Sequence, residues 1–456
     1  MEQRPGHGAG QWALAFLRSR WYPGPFQWLT VALLGLLLAF GFWGPDRGGR
    51  NLATVITWTL WWPLLPISLV LLGRVWCAIC PLAAIASRVQ RLFPPGRQRV
   101  PGVISRYGVW IMAAAFASLT WVDRVWGITK SPRATGLVLL LLLAGAVAIS
   151  LAYQRRVWCR YLCPLGALSG LYAMAAPLAL RPRQHQCHAC SGKECYRGNS
   201  RAQGCPLWEF PGNLETNRNC NLCAQCVKAC TGKGADGRPS VAMELRLRAP
   251  GAELGQVRRP LVGEAALALL MVALVYIQTI DMTSVWPQYM KLVLESTPLD
   301  YGLAFTVTLA ISLFATMGSY WLAAVLGRRP GESTSRNFAA YGYAYLPLAL
   351  AGHLGHNASH LLYEGPQAVQ TTLDELRIPL ALVPPMDESA AMGGINWPAL
   401  AILGLGIVGA VLTVRRVARN QDQPWRQTWP HLVLLGFWSL AYLVVFLLPM
   451  NPRHSH

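Results

Sequence analysis

The sequence predicts an all-α polytopic membrane protein of about nine spans, with a small cysteine-rich domain inserted after the fourth. Three observations carry this. Hydrophobic residues make up 53% of the 456 residues and charged ones only 13%, against about 25% charged in a soluble domain. Nine apolar runs approach the roughly 20 residues that a spanning helix needs: about 25–43, 53–73, 103–121, 135–153, 260–280, 302–326, 337–361, 396–414 and 428–449. All 12 cysteines fall between Cys77 and Cys230, with none in the second half. The expected domains are a duplicated helical-hairpin membrane unit (1–180), the cysteine-rich insert (181–250) and a second membrane unit (251–456).

The loops set the orientation. The formal charge of +20 is read as positive-inside loops, not as a nucleic-acid surface. Basic residues gather at Arg4, Arg18 and Arg20, at Arg74, Arg88, Arg91, Arg97 and Arg99, and at Arg155, Arg156 and Arg160. They gather again at Arg328 and Arg329, and at Arg415, Arg416, Arg419 and Arg426. In an alternating chain these loops share one side, expected to be the cytoplasm, and the insert lies there too. The opposite loops carry acidic residues, among them Asp281, Glu364, Asp387 and Glu388. The first apolar run ends in Gly-Pro-Asp-Arg, so it is read as a first span and not as a cleaved signal.

Within the insert, Cys220, Cys223, Cys226 and Cys230 are spaced C-x2-C-x2-C-x3-C. Three thiolates of one tight loop plus a fourth nearby suit a [4Fe–4S] cubane. Upstream, Cys187, Cys190 and Cys195 form a looser set, followed by Cys205-Pro206. In two-cluster ferredoxins the fourth cysteine of each run serves the other cluster. The assignment is therefore crossed: Cys187, Cys190 and Cys195 with Cys230, and Cys220, Cys223 and Cys226 with Cys205. The insert then reads as a small dicluster ferredoxin-like domain. Zinc is the alternative for the same donors. Structural disulfides suit thiols on a reducing side poorly.

The hairpin unit repeats itself. Arg74-Val75-Trp76-Cys77-Ala78-Ile79-Cys80-Pro81-Leu82 recurs as Arg156-Val157-Trp158-Cys159-Arg160-Tyr161-Leu162-Cys163-Pro164-Leu165. The second copy has one extra residue between its cysteines. Pro81 and Pro164 turn the chain at the end of each hairpin. For Cys77, Cys80, Cys159 and Cys163 several roles stay open: a third cluster or another metal, a redox disulfide, or packing at a membrane-surface turn.

Two Cys-Pro motifs at helix ends followed by the cysteine-rich insert resemble the membrane polyferredoxin family, across about residues 25–245. That family includes the NapH subunit of nitrate-reduction systems, the membrane part of the NosR regulator and the CcoG-type copper-handling proteins. This chain departs from its usual pattern in the shorter Cys77–Cys80 spacing, the longer Cys195–Cys205 loop, and Thr231 in place of a proline after Cys230. The resemblance implies quinol-linked electron transfer with two cytoplasmic [4Fe–4S] clusters, in a bacterial inner membrane. It implies quinone and a redox partner protein within a multi-subunit complex, besides membrane lipid.

In the second half, His353, His356 and His360 share one helix face by their i, i+3, i+7 spacing. Ionisable groups in a span usually face the bundle interior or a cavity. Haem b, a copper or zinc ion, a quinol site with a histidine as proton acceptor, and plain packing all remain open for this face. Haem would need a facing histidine, and His431 lies at the opposite edge. Asp281 and Glu364 are candidates to pass protons outward. Glu264, a few residues into the fifth span on the inner side, is a second candidate proton group, with a surface carboxylate at the membrane edge the expected reading. A hydrocarbon core of about 30 Å would separate an outer quinol site from inner clusters. It calls for an intermediate carrier or for a quinol site nearer the Cys-Pro turns. The function expected is electron relay between the quinol pool and a respiratory or maturation partner. The alternative is copper reduction or handling for assembly of a metalloenzyme.

Overall fold

The structure, a computed structural model, describes residues 9–95, 98–232, 241–381 and 396–450. Arg4, Arg97, Asp387 and Glu388, and part of the insert, lie outside the described residues. Among the described residues, eight helices are long and apolar enough to cross a bilayer: Gly24–Trp43, Leu52–Leu72, Gly102–Trp126, Pro132–Ala152, Val262–Ile280, Tyr301–Gly327, Trp397–Asn420 and Trp425–Leu447. Large apolar side chains such as Ile311, Phe314, Leu405, Val433 and Phe437 lie exposed on three of them. Exposure on that scale fits contact with lipid tails and not with water.

The seventh expected span, 337–361, does not form as one apolar helix. It is built from Thr334–Gly342, a 3-10 turn at Tyr343–Tyr345, and Leu346–Tyr363. Pro347 supplies no N–H at the start of its last part, and His353, His356, Asn357, Ser359 and His360 make it polar. Its polarity is matched by enclosure, because all five of those residues are buried. A helix surrounded by protein is not held to the apolar composition that lipid demands.

The chain divides into two compact units. Both draw on the first four long helices, whose length the division cuts. The first unit comprises 1–35, 68–112 and 141–253. Its core gathers Tyr22, Ala78, Leu180, Leu222, Cys223, Ala224, Val227 and Met243. The strands β1 (Leu178–Pro182) and β2 (Met243–Leu247) pair antiparallel, Leu178 opposite Leu247 and Pro182 opposite Met243. They fasten the two ends of the cysteine-rich stretch side by side. Helix Ala9–Arg18 packs on β2 and on the short helix Gln225–Ala229.

The second unit comprises 36–67, 113–140 and 254–456. Leu346–Tyr363 lies against Trp397–Asn420 and Val262–Ile280. Small residues permit the close approach. A Cβ added to Gly406 would overlap Ala351 Cβ and lie 2.8 Å from the Pro347 carbonyl oxygen. Backbone cannot retreat as a flexible side chain can. Gly406→Leu is therefore expected to cost about 1–3 kcal/mol by overpacking, read as a lower thermal unfolding midpoint in detergent. Gly404→Leu on the same helix, where an added Cβ meets nothing within 4 Å, should stay within about 0.5 kcal/mol of the parent.

Candidate metal centre

Pairing of β1 with β2 delivers Ala242 to the middle of the cysteine-rich stretch. Arg183 N–H donates to the Ala242 carbonyl (2.8 Å). The Cys187 thiol donates to that same carbonyl (3.6 Å), and the Ala242 N–H donates to Cys230 Sγ (3.4 Å). The first and last cysteines of the insert thus meet across one residue. All twelve cysteines are free thiols.

Electrostatics sorts the insert's eight thiols. Burial, and then Cys230, Cys187 and Cys190, push Cys195 up to about 12. Cys187 is raised by burial and then by Cys230 and Cys190. Burial and then Cys223 push Cys205 up to about 11. Burial first, with Cys223 and Cys205 adding to it, takes Cys220 to about 12. Cys226 lies well above its ordinary value through burial and then Cys220, Cys223, Cys205 and Cys195. Cys187, Cys190, Cys195 and Cys230 act on one another, as do Cys205, Cys220, Cys223 and Cys226, and Cys195 acts on Cys226 as well. They adjoin one another: Cys205 N–H donates to the Cys195 carbonyl (2.8 Å).

The donors in each set suit a cubane. Four thiols are present, and backbone amides favour their anionic form: Leu222 at Cys220, Gln225 at Cys223, Leu207 and Glu209 at Cys205, and Tyr196 at Cys195. Amide donors to sulfur are one of the protein's means of setting a cluster's potential. The Cys220 loop turns its amides inward through left-handed residues at Leu222 (φ 51°) and Ala224 (φ 59°). Alternating hands of this kind make anion-binding concavities. Among the described residues no three His, Cys, Asp or Glu side chains converge as ligands of a single ion. A cubane takes one thiolate at each of four iron corners, so its ligands stand further apart than those of zinc.

Arginines that the charge pattern assigns to membrane-side loops have a second task here. Arg155 donates to the carbonyls of Cys205 (2.9 Å) and Tyr196 (2.7 Å) and lies 3.9 Å over the Trp208 ring. Arg160 pairs with Glu209 (3.0 Å). Arg156 donates through Nη1 to the Cys77 carbonyl (3.1 Å), and its backbone N–H donates to the Pro206 carbonyl (3.1 Å). Arg74 is buried and donates to the Arg218 carbonyl (2.6 Å). The signal for the last two was present in the repeat, since Arg74 and Arg156 open its two copies. Glu253 accepts from Arg248 (2.9 Å), from Arg181 and from the Asn217 N–H (2.7 Å). Asn217 in turn donates to the Ala173 and Leu178 carbonyls (3.1 and 2.8 Å). This bracing fixes the approach to Cys220, whose N–H donates to the Asn217 carbonyl (3.0 Å).

In the second unit, His353, His356 and His360 are all buried on Leu346–Tyr363. The His356 and His360 rings stand 4.9 Å apart, and His353 lies 5.8 Å from the Trp62 ring. His360 Nδ1 is 2.8 Å from Glu364 Oε1, both side chains buried. Asp281 is held by Arg124 Nε at 2.6 Å. Glu264 is not a surface carboxylate: it is 3% exposed and accepts from the Tyr343 hydroxyl (2.8 Å). The tyrosine run bends onto the face of Val262–Ile280 at this point, which sequence spacing alone does not reveal. His431 is hydrogen-bonded to Asn337 Oδ1 (2.9 Å) and stacks 4.1 Å from Tyr341.

Residues 54–100 and 135–182 match a family model described as a 4Fe-4S binding domain. The match falls on the two hairpins that carry Cys77, Cys80, Cys159 and Cys163, and it covers well under half of the chain. An Escherichia coli (strain K12) protein named "Putative electron transport protein YccM" is 33% identical over 84 residues, 18% of this chain and 21% of the relative. The chain thus aligns with about a fifth of that relative's length. No solved structure matches.

Left-handed backbone at a residue bearing a Cβ costs about 1–2 kcal/mol. Ala224→Gly should therefore raise the stability of the protein by up to about 1 kcal/mol, read by thermal unfolding. Titration with a thiol reagent under denaturing conditions should still find all twelve cysteines.

Proposed function

We propose that the protein is a membrane-bound iron–sulfur electron-transfer protein that relays electrons between the quinol pool and a redox partner protein. One observation carries this reading: the fold gathers the insert's cysteines, Cys187 and Cys230 meeting at Ala242, and the Cys205 N–H donating to the Cys195 carbonyl. The similarity of the hairpins to a 4Fe-4S binding domain, and the electron-transport name of the relative, support it. Clusters held there would supply one-electron transfer.

Each part of the chain has a task in this proposal. The thiols of Cys187, Cys190, Cys195 and Cys230 hold one cluster, and those of Cys205, Cys220, Cys223 and Cys226 the other. The Arg155 and Arg156 guanidiniums place positive charge beside the thiolates. The β1–β2 pair and the Glu253 bracing keep the loops closed against water. The basic loops hold this unit on the cytoplasmic side. On that rule the chain must cross once between the basic residues after Gly327 and the helix Trp397–Asn420, and the enclosed helix ending at Tyr363 makes that crossing. On it, the His360–Glu364 pair, joined at Nδ1–Oε1 (2.8 Å), passes outward a proton released on quinol oxidation, while the quinol itself binds nearer the Cys-Pro turns, within reach of the clusters.

Protein purified without oxygen should contain at least about eight irons with matching acid-labile sulfide. It should develop cluster EPR signals on addition of a short-chain quinol. Zinc in place of iron, or clusters that no quinol reduces, would overturn the relay. Cys205→Ser should remove about four irons. Arg156→Gln should preserve iron content while shifting the potential of the adjacent cluster downward in an EPR redox titration, because a nearby cation favours the added electron.

A further inference from the structure

We propose that Cys77, Cys80, Cys159 and Cys163 form a third [4Fe–4S] site, built jointly by the two Cys-Pro turns and adjoining the Cys205 set at Arg156. The proposal rests on the iron–sulfur reading of the chain and adds to it a composite site that neither hairpin possesses alone.

The two turns present their cysteines alike. Cys80 is the N-cap of Pro81–Leu92, and Cys163 the N-cap of Pro164–Tyr172, each with proline in the first helical turn. The amides of Leu82 and Ala83 favour the Cys80 thiolate, and that of Gly166 the Cys163 thiolate. Positive ends of helix dipoles add to this. Gly166 sits so close to the turn that a Cβ there would lie 2.7 Å from the Cys159 carbonyl oxygen.

The unequal spacing has a structural resolution. Val75–Ile79 in the first copy is α-helical, whereas Trp158–Leu162 in the second is a π-helix. Cys163 N–H donates to the Trp158 carbonyl at 2.8 Å, an i to i+5 bond. The wider turn absorbs the extra residue, and Cys163 reaches the same helix-capping station as Cys80. Single π turns of this kind recur at functional sites.

The two turns also meet. Arg156, which opens the second copy, donates to the Cys77 carbonyl in the first (3.1 Å). Cys159 shares the wall of a small cavity with Ala83 and Ala86, from the helix that Cys80 caps. The Cys80 thiol lies within electrostatic reach of Cys159 and Cys77, and the Cys163 thiol within reach of Cys159, Cys80 and Cys77. Four thiols from two repeats therefore share one locality.

Arg156 also marks the join to the insert. Its N–H reaches the Pro206 carbonyl (3.1 Å), next to Cys205. Its guanidinium lies within electrostatic reach of Cys159 on one side and of Cys223 on the other. Ala78, between Cys77 and Cys80, packs in the same core as Cys223. The three sets then run in series: the Cys-Pro set, the Cys205 set and the Cys187 set.

Iron and sulfide analysis of the whole protein, purified without oxygen, tests the proposal. About twelve irons are expected, falling to about eight in Cys80→Ser and in Cys163→Ser, with loss of the same EPR signal from both. Spin quantitation of the fully reduced parent gives a readout that does not depend on a variant folding: about three reduced clusters are expected per chain. About eight irons and two clusters would overturn the third site while leaving the relay standing. So would a disulfide between the turns, or about ten irons with a two-iron signal. Absence of iron altogether would strike the relay itself.

Discussion

Arg156 is the point on which the first unit turns. One end of the residue, its backbone N–H, is tied to the loop after Cys205, and the other, its guanidinium, to the carbonyl of Cys77. Burying a thiolate is unfavourable unless a cation or amide donors stand close by. Burial holds Cys80, Cys195, Cys205 and Cys220 well above the ordinary thiol value even with these donors in place. The arginines and inward amides lessen that penalty without removing it. The basic character first attributed to membrane topology is thus used a second time, inside the protein.

The second unit solves a different problem. Leu346–Tyr363 carries three histidines, an asparagine and a serine on buried surface. Such a helix is tolerable within a membrane only when neighbours supply hydrogen bonds and exclude lipid. Asn357 donates to the His353 carbonyl (2.8 Å), the Asn396 amide to Ser359, and Glu364 completes the His360 pair. At the opposite end of the unit, Tyr343 and Glu264 form another polar contact, and Asn337 satisfies His431. The apolar helices around these groups present their exposed side chains outward.

Much of this was legible in the residue pattern. Hydropathy places the starts of the eight apolar helices close to where they form. It misjudges the ends of two of them, because Asp123, Arg124 and the Arg415–Arg419 stretch continue a helix beyond its apolar part. That the insert's cysteines come close together follows from their spacing. The roles of Arg155 and Arg156 do not, since a side chain that folds back onto a distant loop leaves no local periodicity. Glu264 was misread for the same reason: its partner Tyr343 is far along the chain. The interruption at Tyr343–Tyr345 was hidden because aromatic and small residues score as apolar whether or not their helix is continuous.

The π turn at Trp158–Leu162 has a consequence for how such proteins are recognised and altered. A duplicated chain can gain or lose a single residue between paired ligands without displacing either, provided the local winding loosens to take up the slack. Patterns written with one rigid gap would pass over one of this protein's two copies. Grafts that transplant only the letters of the motif, without the room for that looser winding, would set the second sulfur in the wrong place.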